Sequence, residues 1–164
     1  MGAEDLQLVT FTYWGFDGES RDGNIVVHSG VSRAVLAVFD SLFDNRYPIE
    51  SVIPIGDLPV DAESRPDYNN TSGFHCRVVE GTNRWSDHAY GLAIDLNPLL
   101  NPFVDRDGEI WPTGAERYLD RGLGEPGMID PAGGVVLAFE SIGWEWGGNW
   151  QSIKDYHHFF APQR

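Results

Sequence analysis

Two short segments far apart in the chain contain the side chains that most restrict how it can fold. The first is Ser86-Asp87-His88-Ala89-Tyr90-Gly91-Leu92-Ala93-Ile94-Asp95, and the second is Lys154-Asp155-Tyr156-His157-His158-Phe159. Two imidazoles and one carboxylate form a ligand set that a zinc-type ion accepts in a catalytic site, with the fourth position left to water. A further carboxylate nearby can act as a base. If the two segments share one ion, the fold must bring them together.

Taken together, the two segments resemble the zinc D-alanyl-D-alanine carboxypeptidase family, which includes vancomycin-resistance peptidases and L-alanyl-D-glutamate endopeptidases. The family pattern Ser-x-His-x-x-Gly-x-Ala-x-Asp is matched by Ser86, His88, Gly91, Ala93 and Asp95. The later pattern, an acid-x-x-His-aromatic run, is matched by Asp155, His158 and Phe159. The lead-in formed by Gly147, Trp150 and Asp155 is similar to the endopeptidase branch. The resemblance covers about residues 65–160.

This resemblance implies a role for each matched residue. His88, Asp95 and His158 would bind one zinc ion per chain, and Asp155 would be the general base. Metal chemistry alone leaves the choice between His157 and His158 open; the family pattern favours His158, which makes His157 a neighbour that contacts substrate. Ser86 is expected at the substrate site and could orient His88 through a hydrogen bond.

The oxyanion that develops during amide hydrolysis needs a positive donor. Family members have an arginine in a Ser-Gly-aromatic-Arg run, whereas here Ser72-Gly73-Phe74 is followed by His75. Arg77 lies two residues further, and alternate residues of a strand share a face. We therefore expect Arg77 to take this catalytic role, with a surface salt bridge as the alternative. Trp146 and Trp150 are expected to line the substrate groove, although such residues also form cores.

The resemblance implies a zinc metallopeptidase that hydrolyses peptidoglycan stem peptides next to a D-amino acid. Two reactions fit, D,D-carboxypeptidase and L-alanyl-D-glutamate endopeptidase, and the tryptophan-rich stretch slightly favours the second. The alternative from another class is a non-catalytic, zinc-containing cell-wall-binding module. Asp155 argues against that alternative because a structural zinc site has no use for a free carboxylate and usually has four protein ligands.

The composition of the chain restricts the classes of partner that it can bind. The formal charge of -14 argues against nucleic acid, because phosphates need Lys and Arg partners. No stretch approaches the roughly 20 apolar residues of a membrane helix, and the N-terminus lacks the basic and apolar regions of a signal peptide. We expect a monomer that acts in the cell envelope or after secretion, or a phage-encoded protein released to the wall. Cys76 is the single cysteine and is expected to be a small buried residue, with thiolate ligation as a lesser alternative.

The pattern of apolar residues predicts a single α+β domain over residues 1–164, with a small, mainly antiparallel sheet flanked by two helices. Strands are predicted at 6–14, 24–28, 51–55, 71–79 and 156–160, and a strand is expected to place Asp95 in a cleft. Helices are predicted from Val31 to before Tyr47 and from Asp130 to Gly143. The segments 59–70 and 98–125 are rich in turn residues and are predicted to be loops, the first of them over the site.

Overall fold

The structure is a computed structural model that describes residues 2–162, and it has a mixed α+β architecture. Two α-helices and ten short strands are joined by 3-10 helices and turns. In chain order they are β1 Leu6–Trp14, β2 Ser20–His28, α1 Ser32–Asp44, β3 Ser51–Val52, β4 Asn70–Thr71, β5 Ala93–Asp95, β6 Phe103–Val104, β7 Ile110–Trp111, α2 Gly134–Ser141, β8 Glu145–Trp146, β9 Lys154–Asp155 and β10 His158–Phe160.

The N-terminal part is a long antiparallel hairpin covered by a helix. β1 and β2 pair from Leu6 opposite His28 to Trp14 opposite Ser20. Alternating residues of β1 face the core, as a half-buried strand requires, and the Phe11 ring stacks on Phe39 of α1 at 3.8 Å. The predictions of β1 and α1 are confirmed, whereas β2 begins earlier than the predicted 24–28 strand.

The C-terminal part contains a three-stranded antiparallel sheet in the order β5-β10-β8. Its register places His158 directly opposite Asp95. Helix α2 packs beneath this sheet, where the Phe139 ring stacks on Phe159 at 3.9 Å. Because both rings are fully buried, Phe159 fixes the depth of the strand on which His158 lies.

The sheet prediction was only partly right, because the strands form four small sheets rather than one. Besides the two described, β7-β6-β9 is antiparallel and β3-β4 is parallel. The irregular 98–125 segment therefore contributes a hairpin, β6-β7, which also hydrogen-bonds to β9. No helix within residues 2–162 is long and apolar enough to cross a membrane.

Several predicted boundaries were wrong because hydrogen bonds turn the chain at these points. The strand predicted at 71–79 ends at Thr71, because the chain turns there and Phe74 N donates a hydrogen bond to Val26 O at 2.7 Å. This turn leaves Cys76 exposed rather than buried. Helix α2 begins at Gly134 rather than at Asp130, whose side chain caps a turn at Ala132 N, 3.0 Å away.

Candidate active site

A cleft of about 910 Å³ lies over the β5-β10 pair and contains the candidate chemistry. It is lined by His88, Asp95, Asp155 and His158 and by residues of the 59–70 loop, as predicted for that loop. The two segments that are far apart in sequence therefore meet at one surface.

Hydrogen bonds that involve backbone groups fix the position of His88. It lies on the 3-10 helix Asp87–Tyr90, which Ser86 caps by accepting a hydrogen bond from His88 N at 3.3 Å. Nδ1 of His88 is 2.6 Å from the carbonyl oxygen of Gly73. Because a carbonyl only accepts, Nδ1 carries a proton, and Nε2 is the nitrogen of this ring that could bind a metal ion. Ser86 therefore orients the backbone of His88 rather than its ring, and the Gly73 carbonyl orients the ring.

Asp95 and His158 complete a cluster of three potential ligands. His158 Nδ1 lies 2.9 Å from Asp95 Oδ1 and 3.2 Å from His88 Nε2, and His88 Nε2 lies 3.1 Å from Asp95 Oδ2. One ligand atom from each residue falls within 4.8 Å of the others, and all three residues are buried. The cluster could therefore hold a metal ion, since three such donors on one side leave the cleft side open.

The charges of the cluster are strongly coupled. Burial raises the pKa of Asp95, but the neighbouring His88, His157 and His158 outweigh burial and hold this pKa well below its ordinary value. Burial lowers the pKa of His88, but the Asp95 carboxylate and the Gly73 carbonyl outweigh it and raise this pKa. Asp95 is thus ionised, which is the state a carboxylate ligand needs.

His157 points at Asp155 rather than joining the three-residue cluster. Its Nδ1 lies 2.6 Å from the carbonyl oxygen of Asn101, and its Nε2 lies 2.9 Å from Asp155 Oδ1 in an ion pair. Both nitrogens face oxygen acceptors, so both carry protons and the ring is an imidazolium. Burial lowers the pKa of His157, but Asp155 and Asp95 outweigh burial and raise it to about 9. His157 therefore places a positive charge beside the Asp155 carboxylate.

Comparison with protein-family models agrees with this arrangement. The model described as D-alanyl-D-alanine carboxypeptidase matches residues 80–161, which is half of the chain. The chain belongs to the D-alanyl-D-alanine carboxypeptidase family. The matched range contains the three clustered residues and Asp155, while the carbonyl of Gly73 lies outside it. No solved structure matches the chain.

Arg77 lies in the cleft wall of this family member, but not on a strand. Its side chain is exposed, and its carbonyl oxygen accepts from Ser86 N at 3.1 Å, which ties it to the segment that carries His88. The positive charge of Arg77 contributes to lowering the pKa of His88, so the guanidinium lies within electrostatic reach of the cluster. Among residues 2–162 no carboxylate forms an ion pair with it, and the alternative of a surface salt bridge is not seen.

The two tryptophans expected in the groove have different positions. Trp146 is buried in the core, where its Nε1 donates to Tyr156 O at 2.9 Å, so it does not line the cleft. Its prediction as a substrate residue was wrong because β8 turns this ring inward against Phe159. Trp150 lines the cleft, with its ring centroid 5.6 Å from that of His158.

Sequence reasoning missed Tyr68 and Trp111 in the cleft lining. Their rings lie 5.5 Å apart, and Trp111 makes an edge contact with His157 at 5.5 Å. Burial raises the pKa of the Tyr68 hydroxyl, which therefore remains a hydrogen-bond donor. Both aromatic residues lie in turn-rich segments without regular spacing, and only their position in the tertiary structure shows that they belong to the site.

Proposed function

We propose that the protein is a zinc metallopeptidase that hydrolyses peptidoglycan stem peptides next to a D-amino acid. The observation that carries this proposal is the convergence of His88, Asp95 and His158 beside Asp155 in one cleft. Family membership supports a peptidase, and the donor set supports the metal. The proposal includes one zinc ion per chain.

The ligand set fits zinc on chemical grounds. Two imidazole nitrogens and one carboxylate oxygen match the composition of three-ligand catalytic zinc sites, and the Gly73 carbonyl supplies the outer hydrogen bond that such histidines need. When bound, zinc supplies a Lewis acid that polarises the scissile carbonyl and makes water more acidic. The remaining chemistry is provided by the side chains of this protein.

Asp155 is the proposed general base and acid. It accepts a proton from the attacking water and then delivers this proton to the leaving amine. The neighbouring His157 supports this role, because its Nε2 lies 2.9 Å from Asp155 Oδ1 and places a positive charge beside the carboxylate. Arg77 is the proposed donor to the oxyanion, and its charge already reaches the cluster.

The lead-in formed by Gly147, Trp150 and Asp155 resembles the endopeptidase branch, which favours an endopeptidase over removal of a terminal residue. Trp150 and His157 would contact the peptide, as would the Ser86 segment. The alternative of a non-catalytic zinc-containing wall-binding module assigns no use to Asp155. We further propose a monomer that acts in the cell envelope, after secretion, or after release from a phage-infected cell.

The deciding experiment is digestion of purified peptidoglycan with analysis of product masses. We expect stem-peptide products from the wild type, loss of these products with a chelator, and recovery with zinc. Product masses separate release of D-alanine from cleavage between L-alanine and D-glutamate. His88→Ala is the control without metal. If the wild type with zinc binds the wall but releases nothing, the binding-module alternative replaces the proposal.

A further inference from the structure

Tyr68 is a buried tyrosine in the wall of the cleft, directly before β4. Its backbone is fixed by a hydrogen bond from Tyr68 N to Arg65 O at 3.1 Å. Its ring packs at a tilt on Trp111, with the centroids 5.5 Å apart, and Trp111 in turn contacts His157, the ion-pair partner of Asp155. The Tyr68 ring therefore belongs to the wall that continues to the proposed base.

The hydroxyl of Tyr68 lies close to the proposed metal ligand Asp95. Ser72 is paired directly opposite Asp95: Ser72 N donates to Asp95 O at 3.0 Å, and Asp95 N donates to Ser72 O at 2.9 Å. Directly opposed residues of an antiparallel pair project their side chains from the same face, and both of these residues line the cleft. The Ser72 side chain also hydrogen-bonds to the Tyr68 hydroxyl. This hydroxyl is thus one side chain away from the Asp95 carboxylate.

The hydrogen bonds at this hydroxyl leave its proton available. Burial raises the pKa of Tyr68, and the carboxylates of Glu63 and Asp95 raise it further, whereas hydrogen bonds with the side chains of Asn70 and Ser72 lower it. A hydrogen bond lowers the pKa of a phenol when the phenol oxygen accepts it. Asn70 and Ser72 are therefore the donors, and Tyr68 can donate its own proton to a ligand in the cleft.

Amide hydrolysis needs hydrogen-bond donors around the carbonyl oxygen that becomes negatively charged. In the proposed mechanism this oxygen approaches the cluster of His88, Asp95 and His158. Arg77 is tied to the segment that carries His88, whereas Tyr68 lies beside Asp95, so the two donors reach the cluster from different segments. A neutral hydroxyl in a fixed position stabilises the developing charge without the cost of burying a second cation.

We propose that Tyr68 is a further catalytic residue, whose hydroxyl donates a hydrogen bond to the carbonyl oxygen of the scissile amide as this oxygen becomes negative. This inference rests on the proposed peptidase function. Tyr68 keeps its proton throughout, and Asp155 still transfers the proton of the attacking water to the leaving amine. The Tyr68 ring forms part of the cleft wall, while its hydroxyl contributes to the chemical step.

The first test is Tyr68→Phe, which removes the hydroxyl and keeps the ring that packs on Trp111. We expect kcat for a stem peptide to fall by about 100-fold, as for loss of one oxyanion donor. KM should change by less than about 2-fold, because the hydrogen bond strengthens only in the transition state. Zinc content and the urea midpoint should stay at the wild-type values. Tyr118→Phe is the matched control, since Tyr118 is half-buried outside the cleft lining, and it should keep wild-type turnover.

The second test measures binding without turnover. A phosphinate analogue of the stem peptide has a charged tetrahedral group in place of the scissile amide and so resembles the transition state. In calorimetric titrations, Tyr68→Phe should weaken binding of this analogue by about 100-fold. Binding of the amide peptide, measured with Asp155→Asn present in both proteins to prevent cleavage, should change by less than about 2-fold.

The outcomes separate this inference from the proposed function. If the wild type cleaves the stem peptide and Tyr68→Phe cleaves it equally fast, the catalytic role of Tyr68 is overturned while the peptidase proposal stands. An equal loss of affinity for the phosphinate and the amide peptide also overturns it, because it shows a role in binding alone. If the wild type with zinc cleaves no stem peptide, the proposed function fails and the role of Tyr68 fails with it.

Discussion

Replacing Gly91 with alanine should destabilise the protein by about 3 kcal/mol and weaken its metal binding. Gly91 lies between the proposed ligands His88 and Asp95 with φ of 63°, where an L side chain costs roughly 1–2 kcal/mol. A Cβ at this position would lie 2.5 Å from His28 N and 2.8 Å from the carbonyl carbon of Val27. These are backbone atoms of β2 that move only if the strand moves, so overpacking adds roughly 1–3 kcal/mol. His28 N also donates to Gly91 O at 2.9 Å, and this hydrogen bond would be strained.

Urea denaturation of the metal-free protein measures this effect, because a bound ion would add its own stabilisation. With an m-value of about 2 kcal/mol/M, the midpoint should fall by about 1.5 M. Gly143→Ala is the control: its φ is 81°, but a Cβ there meets nothing within 4 Å. The free energy of unfolding of Gly143→Ala should fall only by the cost of placing an L side chain at positive φ, about 1 kcal/mol. Equal midpoints for the two variants would refute the argument that contact with β2 requires glycine at position 91.

Three further predictions concern the base, its partner and the core. Asp155→Asn should retain the metal but lower kcat by about 100-fold or more, as elemental analysis and stem-peptide turnover would show; near-normal turnover would move the base elsewhere. The raised pKa of His157 means that folding takes up a proton. In metal-free protein, the stability from this group should be complete below about pH 6.5 and lost as the pH rises towards about 9, by on the order of 3 kcal/mol. His157→Gln should remove this pH dependence in urea titrations, and an unchanged profile would contradict the ion pair. Phe139→Ala should cost about 3–5 kcal/mol of unfolding free energy, because the ring is fully buried against Phe159; a loss below about 1 kcal/mol would show that this stack does not support the site.

The sequence predicted those parts of the fold in which side-chain periodicity and burial agree. In β1 the alternation of Val9, Phe11 and Tyr13 matches one buried face, and in α1 the stripe from Val35 to Leu42 matches another. Gly143 ends α2 with positive φ, as its position predicted. These features depend on neighbours along the chain, and a local pattern is sufficient to locate them.

Prediction failed where a distant backbone group decides the structure. The 71–79 segment contains enough strand-forming residues to predict a strand, but the hydrogen bond from Phe74 to Val26 of β2 turns the chain away. Trp146 and Trp150 occur in one glycine-rich stretch, yet one packs in the core and the other lines the cleft. Which face each ring takes depends on the pairing of β8 with β10, which local spacing does not encode.

The same distinction explains why the candidate ligands could be identified from sequence while the groups that orient them could not. His88, Asp95 and His158 are conspicuous because their side chains carry the chemistry. Carbonyl oxygens orient two of the rings at the site: Gly73 O accepts from His88, and Asn101 O accepts from the neighbouring His157.

Every residue has a carbonyl oxygen, so the sequence does not indicate which carbonyl oxygens orient the site. The 98–125 segment, whose composition predicts an irregular loop, in fact surrounds the proposed base, Asp155. Pro102 O accepts from Tyr156 N at 3.2 Å, and Phe103 pairs with Asp155 across β6 and β9. Arg121 fixes the same segment by donating to Leu100 O and Asn101 Oδ1 at 2.8 and 2.7 Å. The proposed proton-transfer group is therefore positioned by a part of the chain that has no catalytic motif, and substitutions there should alter turnover before they alter metal binding.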